Sequence, residues 1–384
     1  MKSRTIKSIE VFPVQLPVKR TFNFASGSAG AQGSLAKLVF VKVTDSEGCH
    51  GWGEGRAHPQ WSYETPESLV STLRKHLAPA VIGLDIWDRR NLHARMHAAV
   101  GRGPSTGMPV AKAALDIAVH DLCARASGLP LRAFLGGSSE KTEVALSWTV
   151  AVKSPAEVGD DVAAGRSEGF AHFNFKVGVS LKQDEELVRA ARTHVPADSF
   201  LWMDANQGVE FTRAVRLARV LEEHAVNVLE QPLAADQMHQ MRHLRSQTAI
   251  PLAVDESSVS PGDYFAHAAE GLVDYFVLKL TRTGGIWPTL LQLGTATSAG
   301  HGLLVSGLSD SMVTKLAACQ VAAAFGFTGP AALNGSQFLD DSVLFPTKSA
   351  VERRGIVHLD TSPGLGIEPD ENALRAHAWK TDCV

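Results

Sequence analysis

Three short apolar runs in the middle of the chain each stop on a carboxylate. They are Leu201-Trp202-Met203-Asp204, Val228-Leu229-Glu230 and Ala253-Val254-Asp255, and the acids are spaced 26 and 25 residues apart. That spacing matches one repeat of strand, loop and helix in a parallel sheet. The three acids therefore fall at the C-terminal ends of successive strands and point into one mouth. A lone acid after a strand commonly caps the next helix, but that role does not explain three in matching register. Converging carboxylates repel one another unless a hard cation sits among them. All-oxygen ligation with positions left open suits one Mg²⁺, with Mn²⁺ as a substitute.

The same alternation runs through most of the chain. Strands are expected at 144–150, 173–177, 200–204, 226–230, 252–255, 275–280, 303–306 and 331–334, with helical patterns between them, as at 185–194, 212–224 and 288–298. About eight such units in about 200 residues fit a closed barrel better than an open doubly wound sheet. Residues 5–45 are instead β-rich with a hairpin turn at Asp45-Ser46-Glu47-Gly48, and 65–136 carry apolar residues at helical spacing. The expected architecture is α/β, a modified TIM (β/α) barrel with an α+β N-terminal capping domain. Its boundaries are 1–137 for the cap, 138–356 for the barrel and 357–384 for a segment returning to the cap. Glycine-rich loops near 22–34 and 51–62 are expected to set substrate specificity.

Composition narrows the ligand. The 384 residues carry a net charge of −3 with no run of five like charges, which argues against nucleic acid and anionic membranes as partners. Cys49, Cys123, Cys319 and Cys383 form no C-x-x-C pair, so they are expected as free thiols. The N-terminal stretch lacks a long apolar core, and no apolar segment approaches about 20 residues. A cytoplasmic protein acting on a small molecule is expected.

Two lysines flank the acidic trio. Lys176 ends the second strand, His172-Phe173-Asn174-Phe175-Lys176, and Lys279 ends the sixth, Phe276-Val277-Leu278-Lys279. Desolvation in a barrel mouth lowers a lysine pKa toward that of a working base, while nearby carboxylates raise it. A proton α to a carboxylate is very weakly acidic, and its removal leaves a doubly charged enediolate. A divalent cation neutralises that charge and an apposed lysine takes the proton. Two lysines on opposite faces allow removal on one side and return on the other.

These features resemble the enolase superfamily, in which a Lys or His base works beside Mg²⁺. More closely, the chain resembles the muconate-lactonising subgroup of the mandelate racemase/muconate lactonising enzyme family. The resemblance rests on the cap loops, the helix 111–121 with Leu135-Gly136-Gly137, Asp204-Ala205-Asn206, Glu230-Gln231-Pro232, Asp255-Glu256-Ser257, and Lys279 with Gly284-Gly285. It implies Asp204, Glu230 and Asp255 as Mg²⁺ ligands, Lys176 and Lys279 as the acid/base pair, and a homo-oligomer.

Substrate contacts are expected from Asn174, Trp148, Phe22, Phe24, Trp61, Asn206, Glu256, Ser309 and Asn334, with Trp148 foremost among the apolar ones. The family's second-strand signature is Lys-x-Lys, and here it reads Asn174-Phe175-Lys176. An acidic residue usual after strand seven aligns with Ser309, with Asp310 one position later. Ala332-Leu333-Asn334 lacks the Asp-x-Asp pair with which dipeptide epimerases hold an ammonium, and His301 precedes strand seven and is given no catalytic role. The expected reaction is racemisation or epimerisation of a small carboxylate such as an amino-acid derivative. Dehydration of a β-hydroxy acid such as a hydroxyproline and muconate-type cycloisomerisation are the alternatives, with a non-enzymatic binding protein the remaining one.

Overall fold

The computed structural model describes residues 3–381 apart from 25–26, 104–105, 139 and 153. Cys383, part of the 22–34 loop and the last three residues of the C-terminal segment lie outside the described residues.

The chain opens with β1 (Ile6–Pro17), β2 (Leu35–Asp45) and β3 (His50–Gly55), an antiparallel sheet in the order β1-β2-β3. Between β1 and β2 lies a small hairpin, Phe22–Phe24 paired with Gly27–Ala29. Helices α1 (Arg89–Ala99) and α2 (Pro109–Ala126) follow. Residues Pro109–Ala124 of α2 are all buried, as expected of a helix apolar around most of its circumference. It lies so close to β3 that a Cβ on Gly53 would sit 1.9 Å from the Ala114 carbonyl oxygen.

Beyond the cap, α/β alternation takes over through β4 (Ser147–Val150), α3 (Val158–Ser167), β5 (His172–Lys176), α4 (Leu181–His194), β6 (Leu201–Asp204), α5 (Phe211–Glu223), β7 (Val228–Glu230), α6 (Met238–Arg245), β8 (Leu252–Val254), α7 (Pro261–Glu270), β9 (Tyr275–Leu278), α8 (Ile286–Ser298), β10 (Gly302–Val305) and α9 (Met312–Ala324). Strands β4 to β10 pair in parallel, in chain order. The expected eighth strand, 331–334, is reduced to two parallel bridges, Leu146↔Ala331 and Ser306↔Ala332, which join the first strand to the seventh and close the ring. Its shortness has a local cause: Pro330 has no N–H to give, and the chain enters a helical turn at Gly335–Phe338.

Alternation within the strands divides inside from outside. Trp202, Val228, Ala253, Val277, Leu304 and Ala332 form one buried cluster inside the barrel. Each lies two residues before a member of the next layer: Asp204, Glu230, Asp255, Lys279, Ser306 and Asn334. An apolar plug thus lies directly beneath a polar mouth. The first predicted strand is split, with Glu143–Ala145 pairing antiparallel with Ile356–His358 while β4 joins the barrel. The chain end then runs along the cap, where Trp379 N donates to Pro13 O and Gln15 N to His377 O. Among the described residues no helix is long and apolar enough to cross a membrane.

Candidate active site

Parallel register sets Lys176 beside Asp204 and Asp204 beside Glu230. Lys176 Nζ lies 2.5 Å from Asp204 Oδ2, and Lys279 is ion-paired with Asp255 at the other end of the arc. Arg282, from the short helix after Lys279, places its Nε 2.9 Å from Asp255 Oδ1. Glu230 stands between the two pairs, with Oε2 accepting 2.6 Å from the Trp202 indole in the layer below. Its Oε1 is buried and meets no donor among the described residues, as is true of Glu256 Oε2.

The electrostatics follow from this placement. Burial, then Asp204 and Asp255, push the Glu230 carboxyl well above the usual range. Burial would also raise Asp255, but Arg282 and Lys279 together hold it below its ordinary value. Burial pulls Lys279 down, yet Asp255, Glu230 and Glu256 outweigh it and leave the ammonium above its ordinary value. Glu256 is pushed up to about 7, by burial first and by Asp255 second. As they stand, no three His, Cys, Asp or Glu side chains among the described residues are grouped to hold a metal. The donor set nonetheless fits a hard divalent cation. It is all oxygen, short of positive charge at Glu230, and already cradles two ammonium groups.

Backbone strain concentrates at the same rim. Asn206, Gln207, Gln231 and Ser309 all have positive φ (41°, 66°, 36° and 57°), a sparsely populated conformation for non-glycine residues that persists where the surroundings enforce it. Asn206 N donates to Asp204 Oδ1 at 2.8 Å and its side chain reaches Glu256. Gln231 Oε1 accepts from the N–H of Asp255 and of Ser257, tying the second acid's loop to the third's.

The enclosed cavity is lined by Phe22, Trp61, Asn174, Lys176, Asp204, Asn206, Glu230, Glu256, Lys279, Arg282, Ser309 and Asn334 among others. It holds about 20 Å³, room for about one water. The rings of Phe22 and Trp61 line it and meet edge to face at 5.0 Å. Phe24 stands behind, its ring 4.4 Å from that of Trp61. Trp148 lies elsewhere. On β4, Ser147 and Thr149 turn inward, and Trp148 turns outward to pack over Gly165 of α3 and donate to Asp161 at 3.1 Å. His301 precedes β10 and packs on Phe276, at the opposite end of the strand from the mouth. A roomier cleft of about 1050 Å³ opens at that opposite end, lined by strand starts such as His172, Phe200, Tyr275 and Gly302. Chemistry in such barrels belongs to the other end.

Residues 8–136 match the mandelate racemase/muconate lactonizing enzyme N-terminal domain, and residues 157–373 match the enolase C-terminal domain-like family. The chain belongs to the mandelate racemase/muconate lactonizing enzyme family of the enolase superfamily. Within this family it is 28% identical to the N-succinyl-L-Arg/Lys racemase of Bacillus cereus, over 96% of this chain and 97% of that one. It is 32% identical to a chloromuconate cycloisomerase of Cupriavidus necator, over 96% and 98%. The crystal structure of the Bacillus cereus racemase superposes with a TM-score of 0.89 at 27% identity, covering 97% of this chain and 98% of that one. A dipeptide epimerase from Cytophaga hutchinsonii, crystallised with Mg and D-Ala-L-Val, superposes at 0.87 with 25% identity over 97% and 98%. The chain is accordingly an enzyme of the enolase superfamily.

Sequence reasoning missed several supports of this family member's site. Asp116 of α2 accepts 2.6 Å from His93, lies 3.3 Å from His120 Nδ1, and accepts the N–H of Ile286 at the start of α8. The cap thereby caps the barrel helix that follows Lys279. Glu54 of β3 does the same for α9, accepting from Ser311 N at 2.7 Å and Thr314 N at 3.2 Å. The available signal was a carboxylate inside an apolar helix, Ala114-Leu115-Asp116-Ile117, since such a charge must find partners. Arg282 was legible only as a cation three residues after Lys279.

Proposed function

We propose that this enzyme removes the proton α to the carboxylate of a small acid and returns it to the opposite face, racemising or epimerising the substrate. Lys176 and Lys279 are the opposed acid/base pair, and Asp204, Glu230 and Asp255 hold one Mg²⁺. The observation that carries this reading is the order around the mouth. Lys176 stands beside Asp204, Lys279 beside Asp255, and Glu230, which forms no ion pair among the described residues, between them. The Bacillus cereus racemase and the Mg-bearing dipeptide epimerase are relatives whose names fit a 1,1-proton transfer.

When bound, Mg²⁺ supplies divalent positive charge where negative charge develops in the reaction. The chain's own residues do the rest. Phe22 and Trp61 exclude water from the mouth. Asn206 and Gln231 fix the acid-bearing loops. Each lysine must loosen from its carboxylate to work as a base, and the partner that remains protonated is the acid for the return step. General acid–base assistance of this kind contributes about 10²- to 10⁴-fold per group.

Proton NMR in D₂O with Mg²⁺, over a panel of N-acyl amino acids, proline betaines, hydroxyprolines and muconate, tests the proposal. Loss of an α-proton signal with no new compound is the expected result. A new vinyl, imine or lactone signal would move the reaction to elimination or cycloisomerisation.

A further inference from the structure

The cavity is electrically two-sided. Its charged lining residues are Lys176, Asp204, Glu230, Glu256, Lys279 and Arg282, which come from β5 through the segment after β9 and pair largely with one another. The other side, formed by Ser306 to Ser309 after β10, by Ala332 and Asn334 and by Asn174, carries no charged lining residue among the described ones.

A directed chain of hydrogen bonds runs along that neutral side. Ser309 Oγ donates to Asn334 Oδ1 at 3.0 Å, Asn334 Nδ2 to Thr149 Oγ1 at 2.9 Å, and Thr149 Oγ1 to Asn174 Oδ1 at 2.9 Å. Ser147 Oγ donates to the same Asn174 oxygen at 3.3 Å. Both hydroxyls are directed at the Asn174 oxygen, which leaves its Nδ2 toward the cavity, where no acceptor among the described residues meets it. The chain is anchored at its far end, where the strained Ser309 gives its carbonyl to Arg56 of the cap. The result is an amide N–H facing the cavity from a wall whose lining side chains are all neutral.

On the strength of the proton-transfer reading above, we infer that the substrate is a monocarboxylate bearing an uncharged oxygen acceptor, an amide carbonyl or a hydroxyl, which Asn174 Nδ2 binds. A second carboxylate or an ammonium on that side would be buried with no charged lining residue to pair with, which costs far more than a neutral group left in the same place. Asn174 and Asn334 are then specificity-determining residues, each replaceable by a charge that redirects preference.

N-acetylalanine, N-succinylalanine and glycylalanine share the amide and differ only in a neutral, anionic or cationic end, and 3-hydroxybutyrate separates a hydroxyl acceptor from an amide one. Binding to the Mg²⁺-loaded protein is followed by saturation-transfer NMR, and α-proton exchange is followed in D₂O in the same samples. The wild type is expected to favour a neutral member by about tenfold or more over both charged ones. Asn174→Lys shifts the preference to N-succinylalanine, and Asn334→Asp shifts it to glycylalanine. Preference for a charged member, an order unmoved by both substitutions, or binding of none of the four overturns the inference. Exchange with a charged member preferred overturns this inference but leaves proton transfer standing. Neutral preference without exchange in any member does the reverse.

Discussion

Asp116 shows how one side chain links the cap to the chemistry. It is fully buried, contacts His93 and His120, and receives the first N–H of α8. Burial alone would raise its carboxyl, but His120 and His93 outweigh that and hold it far below the ordinary value. A depressed carboxyl stabilises the fold above its unfolded value, near 4, and that stability is lost as pH falls through the folded value. Asp116→Asn is therefore expected to lower unfolding stability by about 3 kcal/mol at neutral pH, with the difference narrowing below about pH 4. Urea titrations of both proteins across pH check this. The acids and lysines of the mouth were legible because five such groups close successive apolar strands in matching register, which helix capping or a lone surface lysine does not explain. Trp148 was not. One residue of register turns a strand side chain from one face to the other, and only the pairing of Thr149 with Asn174 settles which way β4 faces.

Glycine spacing governs how β3 and α2 pack. Gly51 and Gly53 both face the helix, and a Cβ on either would come within 2.3 Å of helix backbone, at Leu122 N and Ala114 O. Backbone on both sides leaves no flexible neighbour to yield. Gly53→Ala is expected to destabilise the protein by about 3 kcal/mol or more, seen as a lowered melting temperature or loss of soluble protein. A surface change such as Gly33→Ala meets no atom within 4 Å, although φ is +82° there, and is expected to cost about 1 kcal/mol from the backbone alone. The barrel elements were legible from the repeat of apolar run and amphipathic helix. The eighth strand was overread, because Ala331-Ala332-Leu333 looks apolar enough while Pro330 and the turn at Gly335 leave only two bridges. The split of the first strand was hidden for a related reason, since its partner, Ile356–His358, lies more than two hundred residues away.

Cap and barrel meet over a mouth that gathers four acids, Asp204, Glu230, Asp255 and Glu256, and three bases, Lys176, Lys279 and Arg282. A divalent cation that binds only this folded arrangement stabilises the whole molecule by mass action, by about 2.7 kcal/mol at a hundredfold excess over its Kd. Mg²⁺ is expected to raise the melting temperature of the wild type by several degrees and of Glu230→Gln by much less. An equal rise in both would place the ion elsewhere.

The central claim is that two lysines serve opposite faces of one carbon, and exchange in D₂O tests it on each enantiomer separately. The wild type should incorporate deuterium into both enantiomers and interconvert them. Lys176→Ala and Lys279→Ala should each cut interconversion by at least about a hundredfold, while each leaves exchange in the one enantiomer that the surviving lysine serves. If either variant still exchanges both enantiomers and racemises at an undiminished rate, the two-base account is wrong.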